Sequence, residues 1–150
     1  MALKARIKDE MKAALLSGDR FVGETLRNLT AAILDEEVKL GKRDEGLSDE
    51  EIEKVVAREV KKRNESAKIY RDNNRPDLAE PEEREIEILQ AYLPKQLDET
   101  ELAAIIKAKI AELSVTGPQA MGQVIGAVKK QVGNAADGAA IARIVKQKLD

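Results

Sequence analysis

The chain contains no cysteine and no histidine. The first absence excludes disulfides, thiolate metal sites and thiol catalysis. The second removes imidazole as a base, proton shuttle or metal ligand. Aromatic side chains are nearly missing as well: Phe21, Tyr70 and Tyr92 make up 2% of 150 residues. Stacking of bases on aromatic rings is therefore a poor candidate for a main binding mode. No run reaches the roughly 18 apolar residues that a membrane span needs. The N-terminal stretch interleaves Lys4, Arg6, Lys8 and Lys12 with Asp9 and Glu10. Without a continuous apolar segment it does not read as a signal peptide, so the expected location is the cytoplasm and no membrane partner is expected.

What is present favours helices. Hydrophobic residues account for 43% and charged residues for 36%, so an aliphatic core and a charged surface are both available. The length suits one compact domain or two small ones. Formal net charge is −2, but it is unevenly spread: residues 1–94 hold 18 basic against 22 acidic side chains, and residues 95–150 hold 8 against 6. An acidic body with a mildly basic tail is a weak hint of an anionic partner for the tail, or ordinary surface scatter.

Periodicity marks seven helices. Leu3, Ile7, Met11 and Leu15 repeat every four residues and predict a first helix ending near Ser17-Gly18. Val22, Leu26, Leu29, Ile33 and Leu40, with Leu34 and Val38 beside them, mark a second that ends at Gly41. Ser48 with Glu51 predicts a capping box for a third, running to about Asn73. Its apolar stripe, Ile52, Val55, Val56, Val60, Ala67 and Tyr70, also holds Glu59 and Arg63. That charged pair reads either as a bridge between helices or as a functional polar spot. Pro76–Ala79 reads as one short turn, and Pro81 as the first residue of a fourth helix with Ile86, Leu89 and Leu93 on its core face.

Pro94 stops that helix, and Asp98 with Glu101 starts the next. Leu102, Ile106 and Ile110 mark the fifth helix, Met121, Val124 and Val128 the sixth after Pro118, and Ile141, Ile144 and Val145 a seventh capped by Asp137. The expectation is an all-α protein: a long-helix N-terminal bundle over residues 1–93, a hinge at 94–97 and a small three-helix C-terminal subdomain over 98–150. A unit that small is marginal alone.

Catalytic machinery is not evident. The serines, Ser17, Ser48, Ser66 and Ser114, have no imidazole base available, and three of them sit at helix ends or turns. There is no phosphate-binding Gly loop. No catalytic residue, metal site or cofactor is expected. The sixth helix offers something else. Gly122 and Gly126 lie on one flank with Lys129 and Lys130 near the same line. Such a ridge could lie against a phosphate backbone. Equally, the glycines could let the fifth or seventh helix approach closely. Arg143, Lys146 and Lys148 add positive charge on the last helix.

Several runs carry a family resemblance. They are Lys62–Ser66, Arg75-Pro76-Asp77-Leu78-Ala79 and Glu85–Gln90 leading into Ala91-Tyr92-Leu93-Pro94-Lys95-Gln96-Leu97. Met121-Gly122-Gln123-Val124-Ile125, Asp137-Gly138 and Ile144-Val145-Lys146 add to them. Together they resemble the YqeY proteins, the stand-alone branch of the GatB/YqeY family, over essentially the whole chain. The resemblance implies two helical subdomains and a relationship to the tail of the B subunit of the tRNA-dependent amidotransferase, which helps hold tRNA. It implies tRNA as a partner, with the amidotransferase or other translation proteins. It also lends the family label of carbon–nitrogen ligase with glutamine as amido-N donor, without supplying residues for that chemistry. Where relatives often carry Gly-Arg-Ala before Asp-Gly, this chain reads Asn134-Ala135-Ala136, so an arginine is missing at position 135. The expected nucleic-acid-binding set is Gly122, Gly126, Lys129, Lys130, Arg143 and Lys146. The competing reading is a protein–protein adaptor in translation with no direct RNA contact.

Overall fold

The computed structural model describes residues 2–150, and every regular element among them is helical, as the sequence predicts. The α-helices are α1 (Ala2–Ser17), α2 (Arg20–Lys39), α3 (Asp49–Asp72), α4 (Pro76–Gln90), α5 (Glu99–Leu113), α6 (Met121–Val132) and α7 (Gly138–Leu149). Two 3-10 turns, Pro118–Ala120 and Gly133–Ala135, flank α6. Among the described residues no helix is long and apolar enough to cross a membrane. The helices sort into two compact units, residues 1–93 and 94–150.

In the first unit α1 and α2 run antiparallel. The Asp19 carboxylate caps α2 by accepting the Val22 N–H at 3.3 Å. The two helices approach closely at Gly23, where an added methyl would stand 2.5 Å from Leu15 Cδ2 and 2.9 Å from its Cγ. The capping box of α3 forms as expected: Ser48 Oγ accepts the Glu51 N–H at 3.2 Å, and Glu51 accepts the Ser48 N–H at 2.8 Å. Leu47 and Ile52, at the two positions of a hydrophobic staple, are both fully buried. Ile7, Leu26, Leu29, Ile33, Val55, Val56 and Leu89 complete the centre of the core.

Four apolar residues assigned to helix faces lie on the surface instead. Leu15, Leu34, Val38 and Leu40 are all exposed. Leu40 follows the last residue of α2, so its helical projection no longer applies. The stripe of α2 is completed by a charge: Glu37, one turn beyond Ile33, is 1% exposed. Lys4 of α1 reaches both of its oxygens, at 2.7 and 3.0 Å. The start of α4 also differs. Pro76 occupies the first helical position, where its fixed φ and missing N–H carry no penalty, and Pro81 sits inside the helix. A bidentate Arg75–Asp77 pair, 3.1 Å in both arms, braces that first turn.

The Glu59/Arg63 pair is a bridge between helices. Arg63 Nε donates to Glu85 of α4 at 2.5 Å, and Nη1 donates to the Glu59 carbonyl at 3.0 Å. Burial pushes the nearby Glu82 carboxyl above its usual range, and the charge of Glu85 adds to that. At the end of the unit Tyr92 is buried, its hydroxyl donating to Glu10, while Arg6 lies 4.8 Å from the ring centre and bonds Glu10 at 2.9 Å.

The second unit opens on a strap. The Leu97 N–H donates to the Ala135 carbonyl at 2.8 Å. The Gln96 amide donates to the carbonyls of Pro94 and Asn134 at 2.8 and 3.0 Å. Asp98 caps α5 by accepting the Glu101 N–H at 2.7 Å. Leu102, Ile106, Val124, Val128, Ile141, Ile144 and Val145 then form a core of its own. Asp137 occupies the cap position of α7, but its side chain makes no capping hydrogen bond.

Candidate nucleic-acid interface

The α6 helix is positioned by Val124 and Val128, which are fully buried, with Met121, Ile125 and Val132 packed beside them. At about 100° per residue, Gly122, Gly126, Lys129 and Lys130 fall within an arc of about 100° on the opposite side. All four are exposed. Neither glycine is a point of helix–helix approach: a methyl added at Gly122 or Gly126 would meet no atom within 4 Å. That removes the close-packing explanation for these two residues. A helical glycine costs about 0.8–1 kcal/mol relative to alanine, and no internal contact offsets that cost here.

The two lysines end the ridge differently. Lys130 is exposed on that flank. Lys129 folds toward the start of α7, with its Cε and Nζ 3.4 and 3.5 Å from where a Cβ on Gly138 would stand. An ammonium gains nothing from the positive end of a helix dipole, whereas an anion placed there would be favoured by both. Among the described residues this unit has two ion pairs, Lys109–Glu112 at 3.0 Å and Arg143–Glu99 at 2.6 Å. Lys129, Lys130 and Lys146 take part in neither.

The six residues expected from the sequence therefore divide. Gly122, Gly126, Lys129 and Lys130 share one flank of α6. Arg143 is drawn away to α5 by Glu99, on the wall of a groove of about 260 Å³ floored by Leu97, Leu102 and Ile144. Lys146 is exposed on α7, three residues beyond Arg143. Gly138 was not in the expected set. Its signal was a glycine following a cap residue, where a helix former is the usual choice. At position 135 the alanine lies in the second 3-10 turn and offers its carbonyl to Leu97. The ammonium of Lys129 reaches the first residue of α7, three positions further on. Among the described residues no group of three or more acidic side chains is placed to hold a metal ion.

The chain has relatives among known proteins. Altered inheritance of mitochondria protein 41, mitochondrial, from Lachancea thermotolerans is 30% identical over 116 residues, which are 76% of this chain and 61% of the relative. The protein of the same name from Clavispora lusitaniae is 30% identical over 135 residues, 87% of this chain and 74% of its own. That from Eremothecium gossypii is 34% identical over 115 residues, 75% and 61%. The chain thus spans less than two thirds of the length of two of these relatives. A family model described as Yqey-like protein matches residues 4–149, and the chain belongs to that family.

Proposed function

We propose that this chain is a tRNA-associated helical module of the cytoplasm, without a catalytic centre of its own, that docks the tRNA sugar–phosphate backbone on the α6 flank. One observation carries the reading: Gly122 and Gly126 face open space beside Lys129 and Lys130. Two helix-weakening residues with no packing role make sense where another molecule's backbone must come close. Lysines and backbone groups are the ordinary phosphate contacts. The resemblance to the tail of the amidotransferase B subunit points to tRNA as the partner. Lys146 extends the positive surface, and Arg143 contributes only if it leaves Glu99.

Titration of labelled tRNA with the full chain, read by fluorescence anisotropy, tests this. Two phosphate contacts predict a slope of about −1.8 in log K against log salt, so a fourfold rise in salt weakens binding about tenfold. Lys129→Ala with Lys130→Ala should remove most of that salt dependence. No binding at tens of micromolar in low salt would refute the proposal.

A protein-adaptor reading has one observation in its favour. Among the described residues, all seven exposed large hydrophobic side chains, including Leu16 at 90% exposure and Ile69 at 60%, lie in the first unit. Co-purification of translation proteins that survives RNase treatment and is lost on Ile69→Ser would favour it.

A further inference from the structure

Resting on the α6 reading, we infer that this surface takes a base-paired stem, held by its backbone independently of sequence, and not a single strand. Residues 94–150 contain no aromatic side chain. Of the three aromatic residues elsewhere, Tyr92 is buried against Glu10, Phe21 lies under Arg84 at 4.0 Å, and Tyr70 is half-buried on α3 of the first unit. Affinity for single strands normally comes from stacking bases on aromatic rings or arginine planes, and the C-terminal unit has no ring to offer. Its one arginine is Arg143, which Glu99 holds at 2.6 Å. That pair engages one nitrogen, Nη1, of the fork that bidentate reading of guanine would use.

What remains is a stiff, shallow, positively charged ridge. Gly122 and Gly126 are about 6 Å apart along the axis at 1.5 Å per residue, and Lys129 and Lys130 continue the line for about one further turn. A ridge bare of side chains over that length fits a regular surface of phosphates and sugars. Duplex RNA presents such a surface across its wide, shallow minor groove. A flexible single strand would lose conformational freedom on a ridge that gives it no stacking in return.

The full chain should be titrated with tRNA, a 12-base-pair RNA duplex, a second duplex of scrambled sequence, and a 12-nucleotide oligouridylate, all at one low salt concentration. The expected result is that the two duplexes bind alike and at least fivefold more tightly than oligouridylate. Gly126→Gln, which adds an uncharged side chain into open space, should weaken both duplexes at least threefold while circular dichroism shows an unchanged fold. Oligouridylate binding as tightly as the duplexes, or a clear difference between the two duplex sequences, would overturn the inference while leaving tRNA association standing. Duplex binding untouched by Gly126→Gln would also overturn it. Failure of tRNA itself to bind would instead remove the reading on which it rests.

Discussion

Replacing glycine by alanine at Gly23, Gly122 and Gly126 separates packing from docking. All three lie within α-helices, so each substitution gains about 0.8–1 kcal/mol of helix propensity. At Gly122 and Gly126 a methyl meets nothing within 4 Å, so that gain should appear whole. At Gly23 the methyl would stand 2.5 Å from Leu15 Cδ2 and 2.9 Å from Cγ. Turning the tip of Leu15 relieves the first contact but not the second, so the whole Leu15 side chain must change rotamer or α1 must shift. Overpacking of this kind costs about 1–3 kcal/mol, which leaves Gly23→Ala destabilised by about 1 kcal/mol net. Urea unfolding followed at individual amides, Val124 and Val128 for the second unit and Leu26 and Leu29 for the first, reads each unit separately. Gly122→Ala and Gly126→Ala should raise the stability of the second unit by about 1 kcal/mol each, nearly additively if each acts alone. Gly23→Ala should lower that of the first, and Leu15→Ala in the same chain should recover part of the loss. If Gly122→Ala or Gly126→Ala destabilises the protein, the flank is not open and the argument from it fails. If both stabilise the fold and weaken tRNA binding, those positions hold glycine for the partner's sake.

Lys4→Met leaves the carboxylate of Glu37 buried without its partner and should cost about 3 kcal/mol, seen as a lower urea midpoint; adding Glu37→Met should return most of it. Pro81→Ala restores a missing helical donor inside α4 and should stabilise the first unit by about 2 kcal/mol, less the entropy proline removes from the unfolded chain. Burial, helped by the hydrogen bond to Glu10, raises the Tyr92 hydroxyl above its ordinary pKa. A raised folded-state pKa gives stability that is present below about pH 10 and lost as pH rises beyond it, so Tyr92→Phe should flatten the alkaline side of the stability profile. The carboxyl of Glu10 is held below its usual range, first by Tyr92 and then by Arg6, so its contribution is lost on the acid side, as pH falls through about 4.

Much of this fold was legible because single helices announce themselves. The Ser48/Glu51 box and the stripes of α3, α5, α6 and α7 required only spacing, whereas α4 ends at Gln90, short of the stop expected at Pro94. The errors arose where a neighbouring helix decides the outcome. Leu34 and Val38 look like core residues on a helical wheel, yet the packing of α1, α3 and α4 determines which flank of α2 is covered. Glu37 occupies a core position because Lys4, 33 residues away, reaches it. Extending the stripe Leu26, Leu29, Ile33 by four residues lands on Glu37, so the position was readable although its partner was not. Pro81 marked a helix start by rule, but Pro76 is the better start and the Arg75–Asp77 brace secures it.

The same limit applied to the ridge on α6. Two glycines four residues apart are ambiguous in sequence, since close packing and open docking need the same absence of a side chain. Packing geometry separates the two cases within one chain. Gly23 is buried and blocked by Leu15, so its glycine is explained inside the protein. Gly122 and Gly126 are exposed and unblocked, so theirs is not. Their cost falls on the smaller of the two cores, where about 2 kcal/mol is a large share of what a unit of this size can hold. A weakness placed there, beside two lysines outside the ion pairs of their unit, is accounted for if those glycines and lysines meet another molecule's backbone.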